Sequence, residues 1–333
     1  MQLLTGLQVG QRVSNGFHKH HRVFLAGDAI HTHSPKVGQG MNVSIQDTFN
    51  LGWKLGLVVK GLAKPCILRT YEPERRPVAE GLIDFDTRWS GLFSGRPIKD
   101  ALNEAGVSME EFGELFRTGL IWASNIGVEY PPSELVASAD EESTLNIKVR
   151  SRPDLASKIR IGQRLPSVQV LNHADARPWQ FQQLLKSDGC FRLIVFAGDM
   201  TKPQQKERID SFCASLNHDY SFLQRYCMHG LPRCGVPVEI LTLHSSKRKD
   251  VELCEFPQLL YPFDDENGWQ YDKVFADDES YLHGHGHAYE FYGVNPEQGC
   301  VVVLRPDQHV ALIAGLEDSH ILSAYFEGIF VGQ

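Results

Sequence analysis

The chain has 333 residues, 42% of them hydrophobic and 22% charged, with a formal net charge of −8. This is an ordinary globular composition, long enough for two cores. Apart from Lys247-Arg248-Lys249 it shows no dense basic cluster, which sets nucleic-acid binding aside, and no apolar run nears the roughly 20 residues that span a bilayer. The segment Met1 to Arg12 lacks the basic start and apolar core of a secretory signal, so a cytoplasmic location is expected. The seven cysteines are odd in number and form no Cys-x-x-Cys pair. Free thiols are therefore expected in place of a disulfide framework or a dithiol redox site.

In chain order, the apolar run Val23-Phe24-Leu25-Ala26 reads as a strand covered on both faces, following a polar His18-Lys19-His20-His21 loop. The strand breaks at Gly27-Asp28. The loop that follows carries His31, His33, Pro35 and Gly38-Gln39-Gly40. From about Asn42 to Gly61 the spacing predicts a helix, with Val43, Phe49, Leu51, Trp53, Leu55, Leu57, Val58 and Val59 making a broad apolar side. A second helix is predicted over 66–95. Its Pro73 and Pro77 suit a first turn, and Glu72, Glu74, Arg75 and Arg76 are expected to form structural ion pairs.

Gly95-Arg96-Pro97 ends that helix, and Ser108 with Glu111 reads as a capping box opening another. The small, acidic stretch Ala137 to Thr144 reads as a linker or surface loop. Beyond it, strands are predicted at 190–197, 236–243, 300–305 and 309–313, with helices at 202–216 and 321–330. The last two strands form a hairpin through Pro306-Asp307-Gln308. This order suggests a thioredoxin-like α/β sandwich.

The stretch 22–54 carries the chemistry. Asp28 sits where a strand ends, the edge at which open α/β sheets bind ligands, and a carboxylate there accepts hydrogen bonds from sugar-like hydroxyls. The helix entrance near Asn42 offers backbone N–H groups and the positive end of a dipole, while Gly38 and Gly40 keep side chains away. Spacing alone leaves two readings open: a loop cradling an electron-rich ligand, or glycines that only make turns. His31 and His33 flank the loop and could tune proton transfer or pack it. The triplet His283, His285 and His287, the 18–21 histidines, and Cys227 with His229 and Cys234 are weighed as metal sites and set aside as loop or buried thiols.

The stretch RVFLAGDAIHTHSPKVGQGMNVSIQDTFNLGWKL is more specific than its spacing. It resembles the second flavin-contacting motif of the FAD-dependent aromatic hydroxylases, in particular the phenol 2-monooxygenase branch. LRTYEPERRPVA at 68–79, FSGRP at 93–97, IGQRLPSVQV at 161–170 and YGVNPEQGCVVVLRPDQHV at 292–310 extend the likeness over most of the chain.

The resemblance implies an α/β fold: the C-terminal part of a flavoprotein monooxygenase FAD domain (1–95), a helical connection and linker (96–150), and a thioredoxin-like domain (151–333) associated with homodimer formation. It implies that Asp28 holds a ribityl hydroxyl of FAD and that Pro35 packs near the isoalloxazine ring. Gly38, Gln39, Gly40, Met41 and Asn42 line the pyrimidine edge. The implied reaction is NADPH reduction of FAD, addition of O2 to give a flavin hydroperoxide, and hydroxylation of a phenolic substrate. The family's Gly-x-Gly-x-x-Gly unit for the FAD pyrophosphate is not found before Arg22, and such a unit takes about 30 residues or more. The expectation is therefore a C-terminal half, inactive alone. The alternative is a non-catalytic α/β dimerisation module.

Overall fold

A computed structural model of the chain describes residues 10–33, 40–94, 127–139, 149–227, 238–265 and 268–332, with Gly113 and Arg117. The expected helix opening at Ser108, most of the 137–144 linker, and His229 and Cys234 lie outside the described residues.

Two helices dominate the first part of the chain, α1 (Gly40–Val59) and α2 (Tyr71–Ser94). The buried side of α1 is Val43, Asp47, Asn50, Leu51, Trp53, Lys54 and Leu57, a helical repeat that mixes apolar and charged positions. Phe49 is 40% exposed and Val59 83% exposed, so the apolar side expected from sequence is only partly the buried one. In α2 the buried residues Tyr71, Glu74, Arg75, Val78, Ala79, Leu82 and Asp86 follow the same three-and-four spacing. This helix starts at Tyr71, after a 3-10 segment Pro65–Thr70, and carries Pro77 inside it. Pro77 thus does not mark a first turn. It removes one intrahelical donor within the helix.

Ahead of α1, two short antiparallel pairs form: Arg12–Val13 with His31–Thr32, and His18–Lys19 with Val23–Phe24. The second is a tight hairpin in which His20 and His21 take φ of 56° and 50°. The 22–27 run is thus a two-residue strand, with Val23 60% and Leu25 38% exposed, and not a strand covered on both faces. Phe17, Ile30, Leu51, Tyr71 and Ala79 form the core here.

Backbone contacts group Met1–Leu55 with Leu68–Val128 in one unit, and Gly56–Ile67 with Glu129–Gln333 in another. The second is an α/β unit on a seven-stranded sheet. Its strands are β1 (Gln169–Asn172), β2 (Pro178–Gln180), β3 (Phe191–Gly198), β4 (Val238–His244), β5 (Val274–Ala276), β6 (Cys300–Leu304) and β7 (Val310–Ala314), in the order β7-β6-β3-β4-β5-β1-β2. β3 and β4 are parallel, joined through α3 (Pro203–Asn217). β6 runs antiparallel beside β3 and β7 antiparallel beside β6, and α5 (Ser319–Ile329) follows; a short α4 (Ala288–Tyr292) precedes β6. This is the thioredoxin-like arrangement expected from the strand order, widened by β5, β1 and β2.

All eight residues of β3 are buried, as a central strand requires. Successive side chains alternate between faces. Ile194 and Phe196 join Leu241, Leu243, Val302 and Tyr289 in one core, while Phe191 packs edge-on against Phe326 and Phe330. Tyr289 Oη accepts from Gly198 N–H at 2.7 Å and donates to Leu243 O at 2.7 Å, so its hydroxyl is satisfied inside the core.

The predicted hairpin at 300–313 is present, and its turn is buried where a solvated turn would be usual. Arg305 Nε and a terminal nitrogen donate to Asp307 at 3.1 and 2.7 Å. His309 stacks on Tyr130 with ring centres 4.2 Å apart. Burial alone would raise the Asp307 carboxyl; Arg305 and His309 overcome it and hold that carboxyl far below the usual range. Ala137, expected in the linker, is buried, and its N–H donates to Ala311 O at 2.8 Å beside β7.

At the end of β4, His244 Nε2 lies 2.8 Å from His173 Nδ1, and both rings pack on Phe256. Burial, then His173, lowers the His244 imidazole to about 3; burial and then Arg248 lower His173. An ordinary histidine titrates near 6.5, so the unfolded chain takes up protons here before the folded one does. This stability is fully present above about pH 6.5 and is lost as pH falls toward 3. For one such group the slope is at most about 1.4 kcal/mol per pH unit. Urea unfolding at pH 7.5 and 4.5 is expected to show a smaller acid loss for His173→Phe with His244→Leu than for the wild type. An equal loss would show that the pair does not set the acid limb.

Candidate functional site

The strand–loop–helix singled out by sequence lies within the first unit. Asp28 sits in the 3-10 turn Gly27–Ala29. Gly27 is buried with φ of 61°, and a Cβ on it would come within 2.9 Å of Ser44 Cβ. Glycine is needed here twice over, for the left-handed backbone and for the close approach of the turn to α1. Asp28 itself is exposed, and its Oδ1 accepts a long 3.4 Å bond from Ser44 Oγ. Most of its accepting capacity faces outward.

Of the expected ligand-lining residues, Gly40, Met41 and Asn42 form the first turn of α1. Met41 is 72% exposed. A Cβ on Gly40 would fall 2.2 Å from His33 Nε2, so the helix entrance and the end of the preceding strand are in close contact. Pro35, Gly38 and Gln39 lie outside the described residues. Ser44, two positions past Asn42, brings Asp28 beside the start of α1. An outward carboxylate, bare backbone and a helix N-terminus fit a ligand with hydroxyls on one part and an electron-rich edge on another.

Behind this edge lies a layer of buried charge. Asp47 Oδ2 accepts from Gly27 N–H at 3.3 Å and lies 3.0 Å from His31 Nε2, while Oδ1 accepts from Arg75 Nε at 2.6 Å. One and two turns further along, at Asn50 and Lys54, Lys54 Nζ donates to Glu74 Oε2 at 2.7 Å and to Asn50 Oδ1 at 2.8 Å, and Asn50 Nδ2 donates to the same Glu74 oxygen at 2.7 Å. The side chains of both ion pairs are fully buried. The ion pairs expected among Glu72, Glu74, Arg75 and Arg76 are therefore divided. Arg76 does pair with Glu72, at 2.6 Å, but Arg75 and Glu74 pair across to α1.

α2 also grips the chain entering the site. Tyr71 Oη donates to Leu25 O at 2.9 Å, Glu72 accepts from Phe17 N–H at 3.2 Å, and Arg76 donates to Ser14 O and Asn15 O at 3.1 and 3.0 Å. Burial, then the Asp47 charge, pushes the Tyr71 phenol up, keeping it a neutral donor.

Sequence reasoning placed Asp47, Asn50 and Lys54 inside the resemblance but gave them no role. One signal was available. Polar residues at 47, 50 and 54 recur at helical spacing along one side of an otherwise apolar helix, and buried charges at such positions need partners on a neighbouring element. Among the described residues no group of three His, Cys, Asp or Glu side chains could hold a metal ion. Cys66, Cys190, Cys213, Cys254 and Cys300 form no disulfide among the described residues, and burial pushes the Cys190 and Cys213 thiols up to about 12.

Removing one member of a buried pair strands the other charge, at a cost of about 3–5 kcal/mol, whereas an apolar replacement of both is near neutral. Glu74→Gln is therefore expected to lower unfolding free energy by an amount in that range, and Lys54→Met with Glu74→Leu to restore most of it. Urea titration of the three proteins checks this; a double variant no better than the single one would contradict it.

Residues 1–86 match the family described as FAD binding domain, and residues 128–333, more than half of the chain, match the family described as phenol hydroxylase, C-terminal dimerisation domain. Among curated relatives, the phenol 2-monooxygenase fsqG of Aspergillus fumigatus is 41% identical over 324 residues, covering 97% of this chain and 50% of the relative. The 3-hydroxybenzoate 4-monooxygenase of Comamonas testosteroni is 38% identical over 309 residues, covering 92% of this chain and 46% of the relative. The chain thus spans about half the length of these relatives.

Among solved structures, the flavin-dependent monooxygenase PieE in complex with FAD and substrate aligns over 96% of this chain and 50% of that one, with TM-score 0.57 and 20% identity. Aklavinone-11 hydroxylase with FAD and aklavinone aligns over 95% and 45%, with TM-score 0.53 and 20% identity. At that identity the likeness concerns the fold. The chain belongs to the phenol hydroxylase family of FAD-dependent aromatic monooxygenases and matches the carboxy-terminal half of its relatives.

Proposed function

We propose that this chain supplies one side of an FAD site in an NADPH-using monooxygenase that hydroxylates a phenolic ring. The observation that carries the reading is the exposed Asp28 carboxylate, set on a glycine turn against the start of α1. Bound FAD, reduced by NADPH and reacting with O2, would supply the chemistry that inserts one oxygen atom into the substrate ring. The chain's own residues would bind and orient it. Asp28 accepts a hydrogen bond from a ribityl hydroxyl, and the entrance of α1 at Gly40, Met41 and Asn42 offers N–H groups to the pyrimidine edge, with Gly38 and Gln39 assigned to the same edge. Pro35 packs near the ring system. Catalysis in this reading belongs to the full length of the relatives, of which this chain spans about half, and the thioredoxin-like part pairs two copies.

A second reading has its own support in the match of residues 128–333 to a dimerisation domain. In it the chain is a non-catalytic interaction module.

Fluorescence titration with FAD separates the two. The first reading expects FAD binding that Asp28→Ala weakens by roughly tenfold or more, the scale of one hydrogen bond to a charged group, with no NADPH oxidation by this chain alone. A stable dimer in sedimentation that binds no FAD would favour the module. FAD bound equally well by Asp28→Ala would contradict the assigned role of Asp28.

A further inference from the structure

Asp47 has no place among the residues assigned to touch the flavin, yet three segments around that site converge on its carboxylate. Gly27 N–H, 3.3 Å from Oδ2, belongs to the residue just before Asp28, so this bond helps set the direction in which the turn presents Asp28. Asp47 is itself on the second turn of α1, so the same carboxylate registers the turn against the helix entrance. Arg75 at 2.6 Å ties both to α2, and His31 at 3.0 Å ties in the strand that leaves the turn. The Asp47, Arg75 and His31 side chains are fully buried.

A carboxylate facing His31 Nε2 calls for a hydrogen on that nitrogen. The other ring nitrogen, Nδ1, is buried and has no hydrogen-bond partner among the described residues. Among the described residues the ring is thus anchored at Nε2, by Asp47.

We propose that Asp47 is a positioning residue for the flavin site, acting through Gly27 N–H and through His31 held as its Nε2–H tautomer. This rests on the reading of Asp28 and the α1 entrance as flavin-facing. A residue that only held the two helices together would change stability. A positioning residue also changes how the folded chain presents Asp28 and binds the cofactor.

The test compares wild type, Asp47→Asn, His31→Gln and His31→Leu by nitrogen-detected imidazole and amide NMR of the cofactor-free chain, and by FAD titration under conditions where each protein is folded. Expected are an Nε2–H tautomer for His31 and displaced amide signals at Gly27, Asp28 and Met41 to Ser44 in Asp47→Asn, with the β3–β4 amides unmoved. FAD affinity should fall roughly tenfold in Asp47→Asn and His31→Leu, within the range for coupled sites. His31→Gln, whose side-chain N–H can still reach Asp47, should retain most of it. Should Asp47→Asn fail to fold, the two His31 variants carry the comparison.

An Nδ1–H tautomer, unmoved Gly27 and Asp28 amides, or equal FAD loss in both His31 variants would overturn the proposal. Absence of FAD binding by the wild type would instead overturn the flavin reading itself, and with it the purpose given to Asp47, whatever the cofactor-free signals show.

Discussion

A carboxylate buried between two helices, Asp47, is the constraint around which the first unit is arranged. Its charge is tolerable inside the protein only because Arg75, His31 and Gly27 N–H surround it at hydrogen-bonding distance. Each of these partners comes from a different segment, so meeting the electrostatic demand of one side chain also fixes where a turn, a strand and a second helix lie. Lys54, Asn50 and Glu74 repeat the device further along the helix. An apolar seam of similar volume would be as stable or more so. What the charged seam adds is directionality, since hydrogen bonds have preferred angles and dispersion contacts do not. A site that must hold an exposed carboxylate beside a helix entrance benefits from that.

The second unit is organised differently. Its central strand β3 is buried along its whole length, and buried polar groups cluster at strand ends and turns, as with Asp307 and the His173–His244 pair, with Thr242 an exception inside β4. In a thioredoxin-like fold the junction between β3 and α3 is where a dithiol would sit. Here that junction is Asp199-Met200-Thr201-Lys202. Asp199 Oδ1 accepts from Thr201 Oγ1 at 2.7 Å and from Ser246 Oγ at 3.1 Å. Burial opposes ionisation of Asp199, but the Thr201 and Ser246 bonds outweigh it and lower the carboxyl. The junction is a turn held by the hydrogen bonds of Asp199.

Much of this was legible in the sequence. The apolar run at 190–197 announces a central strand, and those at 300–305 and 309–313 a hairpin; the structure has them at Phe191–Gly198, Cys300–Leu304 and, at the sheet edge, Val310–Ala314. The run at 22–27 looked the same and misled. Val23 and Leu25 are substantially exposed, since a short apolar run records a tendency to be covered without saying which residues cover it. The buried face of α1 was hidden for the opposite reason. Asp47, Asn50 and Lys54 look like a solvent face until Glu74 and Arg75 are placed opposite, and pairing between helices is not written in either helix alone. The turn at 306–308 is buried because its polar groups are partnered, Asp307 by Arg305 and Gln308 by Arg164 and Leu185 O, pairings that the turn's own composition does not announce.

The central claim is that the Gly27–Asp28 turn and the entrance of α1 form one side of a flavin site, held in place from behind by buried charge. A crystal structure of the chain grown with FAD tests it most directly. The account predicts a ribityl hydroxyl on the Asp28 carboxylate and the pyrimidine edge at the first turn of α1, with the Asp47 contacts unchanged. FAD bound elsewhere, or bound with Asp28 unengaged, would contradict it.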